Sequence, residues 1–128
     1  MLRVVLALII AAHGIGHILF LVPLLGVSDW GQSTRSWLLT GETAARAIGS
    51  VVWIVALVGF GAAAVGLLGQ QPWWRSAAIV AAIVSTAGLI LFWSTPIRSP
   101  VVAALVVNLL VLGALLLANW PSIEAVGA

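Results

Sequence analysis

From Leu2 to Leu25 the chain is apolar apart from Arg3 and two histidines, and that length alone restricts the folds open to it. A helix needs about 20 apolar residues to cross the hydrocarbon core of a bilayer. Three more runs are long enough, at roughly 44–68, 73–94 and 100–119. In lipid every backbone polar group must be satisfied internally, so only helices and closed barrels can span. These runs are continuously apolar, without the alternation of barrel strands. Composition agrees. Of 128 residues, 63% are hydrophobic and 6% charged, where a soluble domain carries about a quarter charged. The expected fold is an all-α membrane protein: one domain over 1–128, a four-transmembrane-helix up-down-up-down bundle in the lipid bilayer.

The punctuation fits four helices. Pro23 and Gly26 close the first run, Gly69 the second and Pro96 the third, while Ser99-Pro100 opens the last and Trp120-Pro121 ends it. Proline is favoured at the first helical position and just beyond the last. The first run is too long for the apolar part of a signal peptide and lacks a small-x-small cleavage site, so a retained span is expected. The connections at 69–72 and 95–99 are short and imply antiparallel neighbours. The loop 26–43 is longer and holds Asp29, Trp30, Arg35, Trp37 and Glu42. It reads as an interfacial anchor or as a lid. Six of the seven tryptophans, Trp30, Trp37, Trp73, Trp74, Trp93 and Trp120, fall at or near span ends. Amphipathic rings gather there at the headgroups. Trp53 lies deeper.

Charge excludes several functions. The five basic residues are all arginine and are scattered singly, so there is no nucleic-acid footprint. Without cysteine there are no disulfides or thiolate metal sites. Arg3 and Arg75 fall on one side and Arg35, Arg46 and Arg98 on the other, which leans only slightly toward an outside N-terminus. Pairs of small residues four apart, such as Ala12 with Gly16 and Gly59 with Ala63, suit close helix packing and a possible homodimer. Gly14 and Gly16 are expected to be packing points.

The polar residues inside the spans carry the functional argument. At about 1.5 Å rise per residue, His17, Trp53, Ser85, Thr86 and Asn108 all fall about 12–15 Å below the face where span one ends, and His13 about 18 Å below it. Polar groups that need partners in lipid would gather so around one polar site. His13 and His17, at i and i+4, share a helix face. Three readings stay open. The imidazoles lock the bundle through Asn108, Ser85, Thr86 and backbone carbonyls. Or they bind or shuttle protons for a small ligand such as a quinone or lipid headgroup. Or they hold a metal or haem, although no carboxylate in the span cores completes a metal site, and one haem cannot take both rings of one helix face. Glu42 and Arg46, also i and i+4, form an expected ion pair at the mouth, with Arg46 a candidate anion contact.

His13-Gly14-Ile15-Gly16-His17, the pair Trp73-Trp74, the turn Trp93-Ser94-Thr95 and Val107-Asn108-Leu109 occur in that order. This layout resembles a group of small bacterial four-span membrane proteins with an H-G-x-x-H first helix, a W-W pair, a W-S-D-like turn and A-N-L in the last span. Thr95 stands where that pattern has an acid. More distantly it is similar to DoxX-like proteins, some associated with quinone-linked oxidation. The resemblance implies a multi-pass protein of the bacterial inner membrane.

The resulting expectation is a hydrophobic ligand held by His13 and His17, oriented by Asn108 and Ser85, near Thr86 and Trp53, with Arg46 at the mouth. The ligand or cofactor would be quinone-like or lipid-like. The rivals are a structural or accessory subunit of a larger membrane complex, a dual-topology dimeric small transporter, and a haem-binding membrane protein.

Overall fold

Each apolar run folds as a helix. The computed structural model describes residues 1–94 and 97–127. In it α1 is Leu2–Gly16, α2 Ile18–Leu24, α3 Glu42–Leu68, α4 Trp74–Leu91 and α5 Ser99–Leu112. A π-helical segment, Gly113–Leu117, continues α5, and a short α6, Ile123–Val126, follows. No strand occurs among the described residues. With α2 joined to α1 and the π-helical segment to α5, four helices among the described residues are long and apolar enough to cross a membrane. The turn residue Thr95 and the stop at Pro96 lie outside the described residues.

Two ends differ from the sequence reading, and hydrogen bonds account for both differences. The third helix stops at Leu91 rather than near 94, because the long loop takes over its last carbonyls. Ser36 Oγ donates to Leu91 O (2.7 Å) and Trp37 Nε1 to Ile90 O (2.7 Å). Carbonyls in the last turn have no partner within the helix, and here the loop supplies them. The last helix widens at Gly113, where Ala118 N–H donates to Gly113 O five residues back (3.0 Å).

His17 interrupts the first helix. Its Nδ1 donates to His13 O (3.0 Å) and Gly14 O (3.2 Å), while its own backbone N–H turns to Gly14 O (3.1 Å). A side chain inserted into the i to i−4 ladder tightens one turn and breaks the helix there. The expected single span therefore arises from two helices, jointed at a histidine.

Helix α3 is the centre of the bundle and packs against α1, α2 and α4. Its buried face, including Gly49, Trp53, Ala56, Phe60, Ala63 and Leu67, repeats every three or four residues. Where no hydrophobic effect separates helix from lipid, close backbone approach holds helices together. A Cβ on Gly14 would meet Phe60 Cβ at 2.8 Å, and one on Gly59 would meet Ala81 Cβ at 2.9 Å. Gly16, expected to be a packing point too, faces open space, with nothing within 4 Å of an added Cβ. Gly14→Val should therefore destabilise by about 1–3 kcal/mol through overpacking. Gly16→Ala should be neutral or stabilising by up to about 1 kcal/mol. Denaturant titration in mixed micelles separates the two.

The bundle closes unevenly. Helix α5 leans on α4 but scarcely meets α1. Only 17% of the most apolar stretch of the last span is buried, against 39% of the corresponding stretches of α3 and of α4. The result is a seam between the first and last long helices, open toward the outside of the bundle.

A candidate ligand site at the histidine seam

The polar side chains of three helices converge at this seam. His17, Ser85 and Asn108 are buried, and His13 is half-buried. His17 Nε2 lies 2.6 Å from Ser85 Oγ. Asn108 Nδ2 donates to the same Oγ at 2.8 Å. His13 Nε2 lies 2.8 Å from Asn108 Oδ1.

For two neutral rings, one proton arrangement satisfies every contact. The two carbonyls at His17 Nδ1 require a proton there, so His17 Nε2 accepts from the Ser85 hydroxyl. Ser85 Oγ then accepts from Asn108 Nδ2–H, which turns Asn108 Oδ1 to His13. His13 must donate from Nε2, which leaves a bare lone pair on its Nδ1. That atom has no hydrogen-bond partner among the described residues. The two histidines are thus opposite tautomers, each fixed by its neighbours.

Aromatic rings enclose the pair. His17 stacks on Phe60 (centroids 5.5 Å, interplanar angle 24°) and lies 5.7 Å from Trp53. His13 meets Phe60 edge-on at 4.7 Å and His17 at 5.0 Å. Trp53 in turn stacks on Phe20 at 5.0 Å. Phe60 is the site residue that the sequence reading missed. Its signal was its position seven residues after Trp53, on the same face of α3.

The chemistry open to this set is narrow. It cannot relay a proton along its length, because Asn108 accepts on oxygen and donates from nitrogen. Joining the two would require the unstable imidic acid. Among the described residues no three His, Asp or Glu side chains gather. Both Nε2 atoms are spent on Asn108 and Ser85, and His17 is packed between Phe60 and Trp53, so the pair offers a haem or metal a single ring nitrogen, His13 Nδ1.

A crevice of about 250 Å³ remains beside the cluster. On one side its walls include Ala12, His13, Gly16 and Phe20, and on the other Ala104 and Val107 of α5. It follows the open seam, and Gly16, with no side chain to fill the space, helps to form it. His13 lines it.

The other expected site residues divide. Ser85 and Asn108 join the histidines but face inward, so they position the rings. Thr86 Oγ1 donates to Ala82 O in its own helix (2.7 Å) and stays outside the cluster. Arg46 pairs with Glu42 as expected (3.4 Å), and its Nη1 donates to Leu24 O (3.3 Å), capping the end of α2. It borders a different, polar cavity beneath the long loop, with Asp29 and Gln32.

The cluster and its crevice define a helical bundle with a buried His–Ser–Asn network and a lateral opening. Comparison with family models, curated proteins and solved structures finds no match.

Proposed function

We propose that this chain is a multi-pass membrane protein, with its helices crossing the bilayer up-down-up-down, that binds a hydrophobic molecule bearing a hydroxyl group in the seam beside His13. The bacterial inner membrane is the bilayer that the sequence resemblance suggests. The observation that carries the reading is the crevice ending on a half-buried histidine whose outer nitrogen is an unused acceptor. An acceptor selects a donor. A quinol-like or lipid-like hydroxyl fits it, while a quinone brings only acceptors. The lateral opening supports access from lipid, where such molecules dissolve. Exposed Val51, Val58, Val65, Leu110 and Leu117 support a lipid-facing surface.

Purified protein titrated with a short-chain quinol and its quinone, in detergent, tests this. The quinol should bind several-fold more tightly. His13→Ala should weaken it by about five- to tenfold, the worth of one hydrogen bond. Ala104→Trp, which fills the crevice, should abolish binding without unfolding the bundle. Equal affinity for both redox forms, or full affinity in Ala104→Trp, overturns the assignment.

A further inference from the structure

A second crevice, of about 210 Å³, opens in the same seam. Leu6 and Ile10 of α1 form one wall. Val111, Ala114 and Leu115 form the other, which runs into the π-helical segment. Trp74, expected in the headgroup belt, is instead buried and borders this crevice.

The two crevices are consecutive stretches of one groove. In the first, residues of 12–20 stand across from residues of 100–107, and in the second, residues of 6–10 stand across from residues of 107–115. Val107 lines both, and Ile10 lies one helical turn from His13. The character of the groove changes along its length. The histidine stretch offers the acceptor on His13, whereas the second stretch is lined by aliphatic side chains, two tryptophans and a proline. Such a wall gives a polar headgroup nothing to bond and suits a hydrocarbon.

Size restricts the occupant further. From Val107 to Leu115 the groove runs about 12 Å at the helical rise. A volume of about 210 Å³ over that length leaves a cross-section of about 18 Å², room for one hydrocarbon chain and not two. Beyond Leu115 the chain turns, and Trp120 and Pro121 line the crevice there. Arg75 holds that turn by donating to Asn119 Oδ1 (3.3 Å) and to Pro121 O.

We propose that the second crevice holds the tail of the molecule whose hydroxyl His13 accepts, a single apolar chain of about eight to ten carbons within the groove. The inference rests on the reading of the histidine crevice given above and adds to it the ligand's shape: a hydroxyl-bearing head with one tail, not a diacyl lipid.

Binding of alkylhydroquinones to the full chain in mixed micelles tests it. Four probes are compared at equal mole fraction in the micelle: one without a tail, one with a tail half the length of the slot, one matching it and one half as long again. The matching tail should bind about tenfold more tightly than none, because dispersion contacts in a close-packed groove exceed those in a looser fluid. The longest tail should gain nothing more, since its end passes the Trp120–Pro121 turn into detergent. Ala114→Trp and Leu6→Trp, one on each wall, fill the slot. Each should cut the gain to below about twofold and leave the affinity of the tail-less probe unchanged, which also shows that the bundle is folded. No gain from the matching tail, a gain that keeps rising with the longest, or an undiminished gain in the two variants overturns the proposal. If the tail-less quinol still binds more tightly than its quinone in that case, only the tail site fails. If that preference is also missing, the histidine reading fails with it.

Discussion

His17→Ala is expected to destabilise the bundle by about 3 kcal/mol, and His13→Ala by about 1 kcal/mol. The two histidines look equivalent in sequence, but their surroundings differ. His17 is buried, stacks on Phe60, and bonds to Ser85 and to two carbonyls. Removing it leaves a cavity and a hydroxyl without its acceptor. Interhelical hydrogen bonds in lipid contribute about 0.6–2 kcal/mol each, and the cavity adds the rest. His13 is half-buried at the edge of a crevice, and its loss frees one Asn108 oxygen. Unfolding by denaturant in mixed micelles measures both. Equal costs would mean that the pair is one structural unit. Unequal costs, with ligand affinity lost mainly in His13→Ala, assign stability to one ring and recognition to the other.

Trp53→Ala should cost about 3 kcal/mol, at the lower end of large-to-small changes in soluble cores. On the membrane reading proposed above, an indole released from the bundle still finds apolar surroundings in lipid, so only packing is lost. Trp53 is 1% exposed and fills the space between His17, Phe20 and Phe92. Its ring reaches α4 where Gly88 leaves room. A Cβ on Gly88 would lie 2.7 Å from Trp53 Cη2 and 2.6 Å from Val52 Cγ1. Gly88→Ala should therefore destabilise the wild type and cost measurably less in a Trp53→Ala background. The double-mutant cycle should return a coupling of about 1 kcal/mol. Strict additivity would show that the two residues do not share the contact.

The helices could be read from residue type alone, since runs of apolar residues in lipid have few ways to satisfy their backbone. Their ends were less legible. Nothing in 73–94 shows that Ser36 and Trp37, more than fifty residues away in sequence, will take the last carbonyls of α4. The gathering of His17, Ser85 and Asn108, with His13 one turn deeper, followed from comparing depths, which requires only a constant rise per residue. Depth says nothing about direction around a helix. Thr86, beside Ser85 in sequence, turns to its own backbone. Trp74, placed at a span end like its neighbour Trp73, turns inward.

By itself, then, the amino-acid sequence determined that this chain forms four long apolar helices and at what height their few polar groups lie, because hydropathy and helical rise are local properties. Tertiary structure alone decided the rest: which tautomer each histidine holds, that α5 stands away from α1, and that two crevices open in the gap. Those depend on how helices rotate and lean against one another, and a rotation of one residue's width exchanges a buried side chain for an exposed one.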